Sequence, residues 1–265
     1  MAVDSHHNNY HRIGGLFAPF ASLLRNDGFR VVDSNAPFKP ESLSSIDILV
    51  ISNARPNAVA GDEAASPPPV FAPKEIEALE DWVHEGGSLL LIADHAPFAG
   101  SAGALAYAFG FEFENVLVSR VPPGPEPDVF SKENGALHAH IVTAGRDKSE
   151  AVHSVQTFAG SAFRAPSDAR PIIVLPGGYF LRECENPCSE DAPKRDAMGY
   201  LQGATLEFGK GRVAVFAEAA MFSAQVAPRT SYRFGFNAPG AEGNKQLVLN
   251  VLRWLAMALP EWRAG

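Results

Sequence analysis

Four short, nearly uninterrupted apolar runs most constrain what this chain can fold into. They are residues 46–52 (IDILVIS), 88–94 (SLLLIAD), 170–176 (RPIIVLP) and 212–218 (RVAVFAE). Strands with so few polar residues are typical of parallel sheets, because helices cover both faces of such sheets. Helical patterns alternate with these runs along the chain. The alternation predicts right-handed βαβ crossovers in an α/β fold with a doubly wound, mostly parallel sheet.

The remaining elements follow from apolar spacing and from turn residues. Strands are predicted over 2–4 and 29–33, and a hairpin is predicted to turn at 209–211. Helices are predicted over 15–28, 73–87, 95–110 and 244–259. Three stretches lack a clear period: a Pro/Ala/Ser-rich flap over 54–72, an irregular insertion over 111–169 with short strands such as AHIVT, and an exposed loop over 177–195.

Composition narrows the possible partners. The chain has 265 residues, a size that one hydrophobic core can organise, so a single domain over 1–265 is expected. Its formal net charge is -8 and its lysines and arginines are scattered, which argues against binding nucleic acid. No apolar run approaches the roughly 20 residues of a membrane-spanning helix. The sequence does not indicate an oligomeric state.

Two terminal and loop features bear on localisation. The first predicted strand is very short, which suggests that a signal or anchor preceded it and that the protein is exported; a cytoplasmic protein is the alternative. Cys184 and Cys188 lie close together in a polar segment. They either form a disulfide that closes a short loop or remain reduced thiols.

Polar residues collect where the predicted parallel strands end. His6, His7 and Asn8 follow the first strand, Asp94 and His95 follow the strand over 88–94, and Glu218 follows the last apolar run. In an open parallel sheet, ligands bind beyond the carboxyl ends of the strands. We therefore expect these side chains to face one crevice.

The residue types at these strand ends suit hydrolytic chemistry. Imidazole and carboxylate groups together form a ligand set for one divalent transition metal, such as zinc, manganese or iron, and such a metal would activate water. The metal ligands predicted on this basis are His6, His7, Asp94, His95 and Glu218. Without a metal, His95 or His7 would act as a general base, with Asp94 or Glu218 as its partner. The predicted catalytic residues are His95, Asp94 and Glu218.

More ordinary interpretations of the same residues remain open. Adjacent histidines near a terminus are often solvated loop residues, and Asp94 could cap the helix that follows it. Glu218 is harder to explain without a function, because a carboxylate after a buried run needs a partner. Asn8, Phe98, Asn237 and Tyr232 are candidates for contacting the substrate. Asparagines of this kind are also common in turns, and aromatic residues mostly fill cores.

Two segments resemble known families. The stretch GATLEFGKGRVAVFAEAAMFSAQ, followed by GFNAPGAEGNKQLVLNVLRWLA, resembles the DUF4350 group and the GIFT domains of gliding-motility and intraflagellar-transport proteins. The pair LHAHIVTAGR and SVQTFAGSAF is similar to a segment of ThuA-like proteins, although Ile141 and Val142 stand where those proteins have Pro and Ile. These groups belong to the class I glutamine amidotransferase-like superfamily, which has a flavodoxin-like fold.

The resemblance implies a site position and a ligand class. Amidotransferases of this superfamily place a cysteine on the turn after a central strand, and the matching turn here carries Asp94 and His95. Glutaminase activity is therefore not expected. The links of ThuA-like and GIFT proteins to sugars imply a small polar or carbohydrate-type ligand. The prediction is a hydrolase for such a substrate; the alternative is a non-catalytic carbohydrate-binding or protein-interaction module.

Overall fold

In the computed structural model, which describes residues 1–56, 67–120, 127–183, 191–227 and 231–259, a nine-stranded sheet organises the chain. The strands, some of which lie in smaller sheets, are β1 Ala2–Asp4, β2 Val32–Ser34, β3 Ile48–Ser52, β4 Ser88–Ile92, β5 Glu112–Glu114, β6 Leu117–Arg120, β7 Asp128–Ser131, β8 Ser154–Thr157, β9 Ala162–Arg164, β10 Arg170–Val174, β11 Tyr179–Arg182, β12 Lys194–Asp196, β13 Leu201–Phe208, β14 Gly211–Phe216, β15 Ala224–Val226 and β16 Arg233–Gly235. The helices are α1 Ala18–Asn26, α2 Pro40–Leu43, α3 Pro73–His84, α4 Phe98–Ala108, α5 Ile141–Ala144 and α6 Glu242–Leu255.

The sheet is parallel through its centre, as the sequence predicted. Its order is β2-β1-β3-β4-β14-β13-β9-β5, with β10 also paired to β13. Every neighbouring pair from β2 to β14 is parallel, whereas β13, β9, β10 and β5 pair in antiparallel fashion. The carboxyl ends of β1, β3, β4 and β14 therefore lie along one edge of the sheet.

Helices cover both faces of the sheet, which explains why its strands are apolar throughout. Alternate residues of a strand point to opposite faces. Val50 and Leu90 belong to a core that also holds buried residues of α1 and α6, whereas Leu49 and Leu91 belong to a second core with α3 and α4. Two separate cores of this kind are typical of a doubly wound sheet.

Several local predictions differ from the structure. Residues 139–143 form no strand; the short helix α5 begins there, because the ring of His140 accepts a hydrogen bond from the Val142 amide and caps the turn. The predicted loop over 177–195 contains β11 and the start of β12. The strand predicted over 29–33 forms at 32–34 as β2, which is a mostly exposed edge strand. Part of the predicted flap, residues 57–66, lies outside the described residues, as do both cysteines. Within the described ranges, no helix is long and apolar enough to cross a membrane.

Candidate active site

Strand register brings Asp94 and Glu218 side by side. In the ladder between β4 and β14, Ile92 pairs with Phe216, and the Ala93 amide still donates to the Phe216 carbonyl at 3.0 Å. Asp94 and Glu218 each lie two residues beyond this pair. Adjacent strands are about 4.8 Å apart, so the two carboxyl groups are held next to each other at the carboxyl edge.

Glu218 is completely buried. One carboxyl oxygen accepts a hydrogen bond from the Ala220 amide and the other from the Met221 amide, each at 2.8 Å, and the Phe158 amide also donates to this group. The backbone at Gly160 packs directly over the Glu218 side chain. A Cβ atom on residue 160 would lie 2.5 Å from the Ala217 carbonyl oxygen, and the φ angle of Gly160 is +100°. Glycine adopts this conformation without steric cost, so the loop can pack directly on the glutamate.

Asp94 is the partly exposed residue of the pair, although its carboxyl group is largely removed from water. Its backbone amide donates to the side-chain oxygen of Asn53 at 2.9 Å, and one of its carboxyl oxygens accepts from the His95 amide at 2.8 Å. Removal from water raises the pKa of Asp94. Burial also raises the pKa of Glu218 well above its usual range, and the nearby charge of Asp94 raises it further. The two carboxyl groups therefore hold a proton at a pH where isolated carboxyl groups have lost theirs.

The ring of His95 leaves one nitrogen available beside Asp94. Its Nδ1 lies 2.7 Å from the Ala96 carbonyl oxygen, which can only accept, so Nδ1 carries the hydrogen. In the neutral ring, Nε2 is then an acceptor, and it has no partner among the described residues. The ring centroid lies 6.1 Å from that of Phe98, which in turn lies 5.9 Å from Tyr10.

A second group of aromatic rings lies on the Glu218 side. Phe158, whose amide donates to Glu218, has its ring centroid 5.2 Å from that of Phe234 and 6.5 Å from that of Tyr232. All three side chains are partly exposed. Two groups of aromatic rings are thus linked to the pair: Phe158 through its amide at Glu218, and Phe98 and Tyr10 through the ring of His95, whose amide donates to Asp94.

The two asparagines predicted to contact the substrate have other neighbours. The Asn8 side-chain amide donates to the Pro56 carbonyl at 3.4 Å. When the Asn237 side-chain amide is oriented so that its nitrogen faces acceptors, that nitrogen donates to the carbonyls of Phe234 and Gln225, the latter at 3.2 Å. Asn237 thus braces the hairpin of β15 and β16, which carries Phe234, and its contact with substrate stays a prediction.

His7 belongs to a separate cluster. Its Nδ1 lies 2.9 Å from a carboxylate oxygen of Asp4, and its Nε2 lies 3.1 Å from one of Glu75, the third residue of α3. The rings of Phe38 and Phe71 lie 4.6 and 4.8 Å away. Burial opposes the charged ring, but the hydrogen bonds and charges of Asp4 and Glu75 outweigh it and raise the pKa of His7. Protonated His7 therefore joins the end of β1 to the start of α3.

This ion pair predicts a pH-dependent stability. Because the pKa of His7 is raised in the folded state, its contribution is complete below the unfolded value of about 6.5 and declines as pH rises through the folded value. We expect His7→Gln to lower the free energy of unfolding by about 2 kcal/mol at pH 6 and by less at pH 8.5, because hydrogen bonds to charged groups contribute that much. Urea denaturation at both pH values measures the difference. His138→Gln, which changes an exposed histidine, serves as the control; equal losses for His7→Gln at the two pH values would contradict the expectation.

The metal ligand set predicted from the sequence is not assembled. Across the described part of the chain, no group of three or more His, Cys, Asp or Glu side chains is arranged to hold a metal ion. His7 bonds to Asp4 and Glu75, and exposed His6 lies against the Asn35 carbonyl at 3.2 Å. Strand order explains the separation, since β3 lies between β1 and β4 and places their ends about 10 Å apart. The residues do not fit the predicted set, and no catalytic step is assigned to a metal.

Sequence reasoning missed Asn53, which organises the site, and Glu75, which belongs to the separate His7 cluster. Asn53, with a φ of +48°, follows β3 and fixes the Asp94 backbone through its side-chain oxygen. The rule that selected Asp94, inspection of the residue after each buried strand, would also have found Asn53. Glu75 lies in the first turn of α3, where an acidic residue is ordinary and draws no notice. Only the tertiary structure brings it to His7, 68 residues away.

Known structures share this fold at low sequence identity. The N-terminal domain of mmIFT52 matches with a TM-score of 0.69 and 13% identity over 100% of both chains. A ThuA-like protein of Parabacteroides merdae matches with a TM-score of 0.51 and 11% identity, over 99% of this chain and 91% of the other. A β-galactosidase of Rahnella sp. R3 matches with a TM-score of 0.52 and 11% identity, over 98% of this chain and 31% of the enzyme.

These matches support a ThuA-like α/β fold, in agreement with the sequence resemblance, and identities this low show the fold alone. The sequence matches no protein-family model and no curated protein significantly. The DUF4350 and GIFT assignments stay predictions.

Proposed function

We propose that this chain is a hydrolase that acts on a small polar or carbohydrate-type substrate in the crevice at the carboxyl edge of its sheet. The observation that carries the proposal is the pair of adjacent carboxyl groups, Asp94 and Glu218, with raised pKa values at the ends of two central parallel strands. Carboxyl groups whose pKa values are raised in this way cluster at catalytic sites.

Each residue has a distinct role in the proposed reaction. Asp94 is the more exposed residue of the pair, so it donates the shared proton to the leaving oxygen of the substrate. The free Nε2 of His95 accepts a proton from the attacking water. Glu218 touches no substrate, because it is buried; it acts as a positioning residue that keeps the proton on the pair.

The aromatic borders of the crevice support a carbohydrate-type substrate. Partly exposed rings of Phe98 on one side and of Phe158 and Tyr232 on the other could pack against the apolar faces of sugar rings. The β-galactosidase and ThuA-like matches are consistent with this class only at the level of fold.

One observation favours a binding module as the second candidate function. All the hydrogen bonds described for Glu218 come from backbone amides of its own turn and of the facing loop, an arrangement that also fits a structural glutamate. A non-catalytic carbohydrate-binding module would use the same aromatic borders without hydrolysis. The two functions differ in one measurable respect: a module binds a sugar and releases no product.

His95→Ala tests the hydrolase directly. A panel of chromogenic glycosides and esters first identifies a substrate that the parent protein cleaves. We then expect His95→Ala to lower kcat by about 100-fold, because a general base contributes at least that factor. The melting temperature should stay within about 1 °C, because the substitution lies in the crevice and outside both cores.

His138→Ala, at an exposed histidine away from the crevice, is the matched control and should retain full activity. If His95→Ala hydrolyses the substrate at the parent rate, His95 is not the general base; if the parent protein cleaves no compound in the panel, the hydrolase loses its support. Sugar binding by calorimetry with no cleavage of any compound in the panel would instead support the binding module.

A further inference from the structure

A polar cavity lies at the opposite edge of the sheet from the carboxyl pair. Its volume is about 640 Å³, and its lining includes His140, Arg170, Thr205, Arg212 and Trp254. Arg212 is the second residue of β14, whereas Glu218 lies beyond the end of the same strand. The cavity is therefore separate from the proposed catalytic crevice.

Strand register places two arginines and one hydroxyl group on a single face. Arg170 of β10 pairs with Thr205 of β13, and Glu207 of β13 pairs with Arg212 of β14. Residues paired across strands share a face, and so do residues two apart on one strand. Arg170, Thr205, Glu207 and Arg212 consequently project to the same side, where the cavity is.

The hydroxyl group of Thr205 is oriented as a donor. The Nδ1 of His140 accepts from the Val142 amide at 3.1 Å, so a neutral ring carries its hydrogen on Nε2. Nε2 lies 2.8 Å from the Thr205 hydroxyl oxygen and donates to it. Burial lowers the pKa of His140 to about 4, which keeps the ring neutral. The Thr205 hydrogen is then left to donate elsewhere, although Thr205 is 1% exposed and has no acceptor for it among the described residues.

The two guanidinium groups differ in how they are held. Arg212 donates to the Trp254 carbonyl, and its guanidinium carbon lies 4.9 Å from the centroid of the Trp254 ring. Stacking and the hydrogen bond fix its position. Arg170 is exposed and forms no ion pair with any residue that the structure describes. The two guanidinium groups, one fixed and one exposed, thus lie on the strands that flank β13, which carries the buried Thr205 hydroxyl donor.

We propose that this cavity binds the phosphate monoester of a small hydroxylated molecule, with the phosphate held by Arg170, Arg212 and the Thr205 hydroxyl group. Arginine donates paired hydrogen bonds to phosphate oxygens. The cavity is larger than a phosphate group, which leaves room for the rest of the ligand. The carboxylates of Asp168 and Glu207 also line the cavity. Those carboxylates accept hydrogen bonds from the hydroxyl groups of the ligand.

Calorimetric titration with glycerol 2-phosphate and with inorganic phosphate tests this site. Chloride keeps the ionic strength constant, so a general salt effect appears equally in every sample. The parent protein should bind glycerol 2-phosphate at one site per chain, and more tightly than it binds inorganic phosphate. Arg170→Gln should weaken binding about 10-fold or more, because a charged hydrogen bond contributes at least that factor.

Two substitutions of Thr205 separate the hydroxyl donor from folding. Thr205→Ser keeps the hydroxyl group and should bind within about twofold of the parent, whereas Thr205→Val should bind about 5- to 10-fold more weakly. Arg30→Gln removes an exposed arginine elsewhere and should bind as the parent does. No saturable binding by the parent, or equal affinity in the parent, Arg170→Gln and Thr205→Val, would overturn the proposal. The outcome is independent of any hydrolytic activity.

Discussion

In the proposed hydrolase, Asp94→Asn is expected to lower the rate of hydrolysis about a thousandfold, a larger loss than His95→Ala should cause. Asparagine preserves the size of the side chain and an oxygen that accepts from the His95 amide, but it cannot donate an acidic proton. Acid–base catalysis by one positioned group contributes about 10² to 10⁴ in rate. The loss should appear in kcat, and KM should be nearly unchanged.

The same substitution, which lowers activity, should raise the stability of the fold. The raised pKa values of Asp94 and Glu218 mean that the folded chain binds more protons than the unfolded chain above about pH 4, so this pair destabilises the fold as pH rises. Removing one carboxyl group relieves that cost. Asp94→Asn should therefore have a higher melting temperature than the parent at pH 8, and the gain should shrink at pH 5.

Asp47→Asn, at an exposed position before β3, is the matched control. Its kcat and its melting temperature should equal those of the parent. An Asp94→Asn protein with full activity would remove Asp94 from the reaction. A protein that loses activity together with several degrees of melting temperature at both pH values would assign Asp94 a structural role.

Glu218→Ala is expected to cause the largest loss of stability, about 4 kcal/mol in the free energy of unfolding. The substitution leaves the amides of Phe158, Ala220 and Met221 buried without their acceptor, and each such orphaned group costs about 1 to 3 kcal/mol. Relief of the carboxyl–carboxyl repulsion offsets part of this cost. Urea denaturation at pH 7 measures the difference.

Two companion variants make the Glu218 result interpretable. Glu218→Gln keeps one acceptor oxygen, so its loss of stability should lie between zero and that of Glu218→Ala. Glu77→Ala, at an exposed position of α3, should change the free energy of unfolding by no more than about 0.5 kcal/mol. If Glu218→Ala unfolds within 1 kcal/mol of the parent, the three amides do not depend on this carboxyl group.

Much of the central fold was predictable because its strands have a strong local signature. The runs that became β3, β4 and β14 are apolar on both faces, and the residues after them were expected at a common edge. That reasoning identified Asp94 and Glu218 as residues of the edge. It could not give the order of the strands, which no local pattern encodes, and so it grouped His7 with Asp94 although β3 separates their strands.

The irregular half of the chain was less predictable for a related reason. A β-branched segment such as AHIVT favours a strand by local propensity, but here its backbone is turned into α5 by the ring of His140 and the hydroxyl group of Thr143. Asn250 of α6 then donates to the Val142 carbonyl at 2.8 Å. The local cap and this contact across 108 residues both stabilise α5, and the long-range contact leaves no trace in short-range spacing.

The closed loop at Gly160 has a consequence for the movement of protons. Because no solvent reaches Glu218, a proton that leaves its carboxyl group has two routes to bulk water: a transfer to Asp94, or a transient parting of the segment around Gly160 from the strand end. Only transfer through Asp94 needs no movement of the backbone, so in the proposed hydrolase the aspartate sets how quickly the pair regains its proton between turnovers.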